Sequence, residues 1–172
     1  MRNFPYQIPS DHALRRTFRE LTRRGARCSS LSDSELHWYL THLLLEFVRS
    51  DSFFGSGTQR LEPVGYLTQA LEDLEYLTGS ERRDLCRHMG DHSLFVLGFF
   101  PGSLKGSLSR QTYAELGRRF YLLTSEVEDS DRAGTFRKLF EHFPECVKTL
   151  NWVRDYTHDQ FYQYMFRQFD VA

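Results

Sequence analysis

The sequence predicts an all-α fold, a single-domain bundle of about six or seven helices around one buried central helix, and three observations carry that expectation. From Ser93 to Phe100 every residue is small or apolar, so a helix there has no wet face and needs other elements on all sides. Apolar residues recur at spacings of three and four from Leu14 to Tyr156, and no alternating strand pattern, internal repeat or low-complexity tract competes with them. Capping residues, glycines and prolines separate the periodic segments.

Phe4-Pro5 and Ile8-Pro9 make residues 1–9 an extended arm, because each proline fixes its own dihedral and moves the preceding residue out of the helical region. Ser10-Asp11 offers a cap for a first helix with Leu14, Phe18 and Leu21 on one face, ending near Gly25. Ser32-Asp33-Ser34-Glu35 reads as a capping box for a helix over 34–49 that carries Leu36, Tyr39, Leu40, Leu43 and Leu44. A Gly/Ser-rich connection over 51–60 leads to an acidic helix over 63–77. Thr78-x-x-Glu81 reads as a second capping box, opening the central helix over 81–100. Pro101-Gly102 stops it. Beyond a Gly/Ser turn, a helix spans 110–124, a polar loop follows from Glu128, and a short amphipathic segment holds Phe136, Leu139, Phe140 and Phe143. Pro144 suits the first turn of the next helix, which carries Cys146, Val147, Leu150, Val153 and Tyr156. Residues 156–172 form an aromatic C-terminal segment that is apolar on nearly every side and is expected to be covered, by a second copy in a homodimer.

Length and composition set further bounds. A chain of 172 residues, 40% hydrophobic, can bury a core as one domain without staples. A net charge of -1, and no apolar run long enough to span a bilayer, lead us to expect a cytoplasmic protein without a membrane segment. Three widely spaced cysteines, Cys28, Cys86 and Cys146, fit neither a disulfide framework nor a zinc knuckle, and are expected to be buried or inert. Charge is lopsided: seven arginines against Asp11 and Glu20 give residues 1–30 a charge of +5, so the remainder sums to -6.

The central stretch also holds a motif: Gly90-Asp91-x-Ser93-Leu94-Phe95-x-x-Gly98-Phe99-Phe100-Pro101-x-Ser103-Leu104, followed by Tyr113 and by Leu116-Gly117-x-x-x-Tyr121. With the later Leu139-Phe140-Glu141-x-Phe143 and Val147-x-x-Leu150, it resembles a family of uncharacterised bacterial all-helical proteins over roughly residues 40–153. That resemblance implies a bacterial source and attaches no activity. Read physically, Asp91 is an acid entering a buried stretch and needs a partner. Gly98 permits close approach of a helix, and Ser103 can bond backbone around the Pro101 corner. Phe95, Phe99 and Tyr113 complete this candidate binding or structural motif.

Asp84, His88 and His92 follow one another at intervals of four, so a helix places a carboxylate and two imidazoles on one strip that a metal could use. No His-Glu-x-x-His pattern accompanies them. A tetrapyrrole such as haem needs one axial histidine in an aromatic pocket, and His37, His42, His88 or His92 would serve. Arg15, Arg16, Arg19 and Arg23 form a basic face suited to anions or nucleic acid, unless the acidic helix around Glu72–Glu75 balances it. Neither a Gly-x-Ser-x-Gly elbow nor a Gly-rich phosphate loop occurs, so no catalytic residue is assigned. The expectation is a non-enzymatic interaction or regulatory module that self-associates, with no cofactor predicted. A metal or haem carrier is the first alternative and a nucleic-acid binder the second.

Overall fold

The computed structural model describes residues 13–49, 63–104, 110–128 and 130–158. They form seven α-helices: α1 (Ala13–Cys28), α2 (Ser34–Arg49), α3 (Pro63–Asp73), α4 (Gly79–Phe99), α5 (Arg110–Val127), α6 (Ser130–Glu141) and α7 (Phe143–His158). No strand occurs among the described residues, and a 3-10 turn over Pro101–Ser103 follows α4. The expected all-α bundle is the observed one. Residues 1–9 and the tail beyond His158, where the extended arm and the self-associating helix were expected, lie outside the described residues.

The central position falls to α4, as the lack of a wet face from Ser93 onward requires. Cys86 and every residue from Met89 to Gly98 are buried, Phe99 is half-buried, and Phe100 emerges 45% exposed at the rim. This helix packs on α5, α7 and α3, while α1 lies against α2 and α7, and α5 against α6. Gly98 is where α7 comes closest: a Cβ there would stand 2.5 Å from Cβ of Leu150. Arg154 on α7 donates from Nη1 to the Gly98 carbonyl oxygen at 3.3 Å, tying the same two helices together.

Several expected boundaries move, each for a local reason. Gly25 does not end α1, which continues to Cys28; it sits inside the helix because α7 passes so near that a Cβ would lie 2.9 Å from the Thr149 carbonyl oxygen. Ser30, with φ +60°, makes the reversal into α2. The capping box at 32–35 is replaced by a simpler cap. Asp33 Oδ1 accepts from the amides of Glu35 (2.9 Å) and Leu36 (3.3 Å), while Glu35 turns away to accept from Lys138 Nζ at 2.7 Å and from the Thr135 hydroxyl. Lys138 also reaches Asp33 at 2.9 Å; Glu35 and then Asp33 hold its ammonium up to about 12, and the α2 start is thereby pinned to α6.

The acidic helix closes at Asp73 rather than 77, through the tight bonds Glu75 N to Glu72 O and Tyr76 N to Asp73 O. Thr78 stands at the N-cap of α4 in extended geometry but makes no side-chain cap, and α4 begins two residues earlier than 81, at Gly79. The segment around Phe136 is a full helix of 12 residues, α6, and Pro144 lies in the first turn of α7 as its fixed φ favours.

Replacing Gly98 by Ala should force α4 and α7 apart and lower stability by about 1–3 kcal/mol, the usual cost of overpacking. Gly102→Ala, where a Cβ would meet nothing within 4 Å, is the control. Urea denaturation of both variants reads the difference, and equal midpoints would show that the contact yields without cost.

Candidate functional site

Two places gather chemistry: a polar cluster inside the bundle, centred on Asp91, and a groove between α1 and α2. The inner cluster begins with the one acid in the buried run of α4. Asp91 Oδ1 accepts from the hydroxyls of Tyr39 on α2 (2.6 Å) and Tyr121 on α5 (2.8 Å), and Arg87, one turn earlier, lies 3.7 Å from Oδ2. Gly90 gives the Tyr121 ring its room, since a Cβ there would stand 2.8 Å from it. Burial pushes the Asp91 carboxyl above its ordinary range, against the pull of Arg87 and the two phenols. Glu46 is raised as well, by burial first and then by the charge of Asp91. Both phenols are in turn held well above their usual values, by burial and then by that same charge. They therefore stay protonated as donors.

The residues of the strip Asp84, His88, His92 are each engaged by a different partner. Asp84 is exposed, its side chain 71% accessible, and pairs with Arg83 at 3.5 Å. His88 Nε2 shares a hydrogen bond of 2.7 Å with the Tyr66 hydroxyl of α3, and the buried His92 Nδ1 shares one of 3.2 Å with the Tyr113 hydroxyl of α5. The Tyr66 ring also packs on His92, with centroids 4.8 Å apart. Burial, and secondly the neighbouring His88, hold the His92 imidazole down to about 4. Among the described residues no group of three or more His, Cys, Asp or Glu side chains is arranged to hold a metal ion. Phe95 stacks on Phe99 at 4.8 Å and meets Phe100 edge-on at 5.7 Å. Tyr113, Gly98, Phe95 and Phe99 thus act in helix packing, Pro101 opens the 3-10 turn, and the Ser103 side chain lies outside what is described.

The groove is the open feature. A cavity of about 280 Å³ is lined by Arg15, Arg19 and Arg23 from α1 and by Ser34, His37, Trp38, Thr41 and His42 from α2. The three arginines recur every four residues, so one strip of α1 carries them. Arg23 is bound to Glu20 on its own helix, as is Arg24. Among the described residues Arg15 and Arg19 form no ion pair, and Arg15 Nε is buried without a hydrogen-bond acceptor. Trp38 is 60% exposed, and the His42 ring braces it with centroids 3.9 Å apart. His42 itself is lowered, by burial and then by the positive charge of Arg15. His37 Nε2 is engaged with the Leu31 carbonyl at 2.7 Å. Arg16 is exposed and does not line the groove. The suggested balance with the acidic helix does not form: no ion pair joins these arginines to Glu72 or Glu75 among the described residues, and α3 packs on α4 instead.

Comparison with family models, with curated proteins and with solved structures gave no match. No described helix is long and apolar enough to cross a membrane.

Sequence reasoning placed Arg15, Arg19 and Arg23 together but missed Trp38 and Thr41 opposite them. A tryptophan on the side of α2 away from its leucine stripe was the available signal. It also missed Tyr39, Glu46 and Tyr121 as the surroundings of Asp91, since nothing in spacing along the chain links them to it, and Arg87, for which the interval of four to Asp91 was the available signal.

Asp91→Ala would leave two buried phenols and a guanidinium without their acceptor and should cost about 3–5 kcal/mol; Tyr39→Phe, losing one bond to a charged group, should cost about 1.5–3 kcal/mol. Denaturant titration checks the order, and a smaller loss for Asp91→Ala than for Tyr39→Phe would contradict it. His92 generates a pH dependence. An unfolded chain protonates it near pH 6.5, but the folded chain resists until about 4, so this residue costs stability as pH falls between those values. Asp91 and Glu46, raised by burial, act in the opposite sense, so the comparison must be with His92→Gln. The wild-type midpoint should drop relative to that variant's below pH 6.5, and parallel profiles would refute the assignment.

Proposed function

We propose that this chain is a non-enzymatic binding module that takes a phosphate-bearing anion in the groove between α1 and α2. The observation that carries this reading is the convergence of Arg15, Arg19 and Arg23 on one cavity, with Arg15 Nε buried and lacking an acceptor among the described residues. A buried donor without a partner is costly, and guanidinium N–H groups match phosphate oxygens in pairs. Cations held close together on one helix also repel one another, so an anion between them gains from each. Thr41 and Ser34 line the same wall, alongside His37 and His42. The proposal narrows the arginine face read from the sequence to three of its four residues.

Binding of tripolyphosphate, followed by calorimetry at low ionic strength, tests it. Arg15→Gln and Arg19→Gln should each weaken binding about tenfold, in keeping with loss of a charged hydrogen bond, while Arg16→Gln on the outer side should leave it unchanged. Affinity should fall as salt is raised. Absence of binding, or equal losses in all three variants, would overturn the reading.

A further inference from the structure

We infer that the groove's ligand is a nucleoside phosphate, with its phosphate on Arg15 and Arg19 and its base stacked on Trp38. This rests on the phosphate reading above and adds a second recognition element. An exposed tryptophan is an expensive surface residue unless it meets something, and Trp38 is both exposed and held at the cavity wall. His42, one turn on, lies against it with the rings tilted by 41° and their centroids 3.9 Å apart, which restrains the indole before any ligand arrives. A rigid aromatic platform beside an arginine strip is the pairing that accommodates base and backbone in single-stranded nucleic-acid sites, tolerant of sequence because every base has a π face. Size selects further. At about 280 Å³ the cavity lies near the lower end of the roughly 300–1,000 Å³ of small-molecule pockets, a size for a small ligand or one unit of a strand. A duplex keeps its bases stacked on each other and unavailable to Trp38.

Free nucleotide and single strand share this chemistry. Fluorescence separates the possibilities, because the chain has two tryptophans and the second, Trp152, is half-buried against Tyr156 at 5.0 Å. The full chain would be titrated with tripolyphosphate, a nucleoside triphosphate, an oligothymidylate, the same sequence as a duplex, and a phosphotyrosine peptide. The inference expects the triphosphate to quench Trp38 and bind about tenfold more tightly than tripolyphosphate, the increment that one stacked base supplies. Trp38→Leu should abolish that advantage and leave tripolyphosphate binding intact; its melting curve confirms folding, since the side chain it removes is mostly exposed. An oligothymidylate tighter than the mononucleotide identifies a strand, and equal affinities identify a free nucleotide. For phosphate contacts from Arg15 and Arg19 the strand's log affinity should fall against log salt with a slope of about -1.4. Equal binding of triphosphate and tripolyphosphate, a preference for duplex, or tighter binding of the phosphotyrosine peptide would overturn the nucleotide inference while leaving the anion groove standing. Failure of every probe would remove both.

Discussion

The bundle is organised by the need to keep one carboxylate, Asp91, inside the buried run of α4, where it is the one acid. An ionised group in that position is tolerable only when it is paired and hydrogen-bonded, and its partners arrive from three directions: the hydroxyls of Tyr39 from α2 and Tyr121 from α5 donate to it, and the charge of Arg87 faces it from the preceding turn of α4. Those contacts fix how far α2 and α5 can rotate about their own axes, because a shift of either would strand a phenol in an apolar setting. Leucine and phenylalanine packing alone would permit several such arrangements. The acid thereby converts a greasy cluster into one defined packing.

That fixed packing determines what α1 can do. Its buried side, Leu21, Thr22, Gly25 and Ala26, is committed to neighbours, and Gly25 lets α7 approach to backbone contact. Once that side is seated, the strip of Arg15, Arg19 and Arg23 has no choice but to face the flank of α2. The opposing flank presents Ser34, His37, Trp38, Thr41 and His42 instead of the carboxylates that would neutralise it. Glu35 and Asp33, the acids nearest in sequence, are taken by Lys138 of α6. The anion-seeking character of the groove is thus a consequence of where acids are spent elsewhere in the bundle.

Helices were legible in the sequence wherever a long apolar period met a proline or glycine stop, as at α4 and Pro101. They were misread where tertiary contact overrode local chemistry. Gly25 looked like a terminator and is an interior glycine shaved for α7. Glu35 looked like half of a capping box and serves an ion pair with a residue far along the chain. The same distinction divides the sites. A basic strip at intervals of four could be seen on one helix, but the tryptophan that gives it a second wall belongs to another, and the tyrosines around Asp91 come from helices far apart in sequence. Strips are visible in one dimension; walls and rings are not. The strip of Asp84, His88 and His92 shows the converse, since residues aligned on one helix are engaged one by one: Asp84 by Arg83 beside it, His88 by Tyr66 of α3 and His92 by Tyr113 of α5.

Of the three thiols, Cys86 and Cys146 are sealed in the core, and only Cys28, at the end of α1, is open to solvent. Maleimide chemistry on the native chain therefore has a single address, on the same helix as the arginine strip and a few turns from Arg15. A dye placed there needs no engineered cysteine and no removal of native ones, so the molecule comes already equipped for distance measurements from one well-defined anchor.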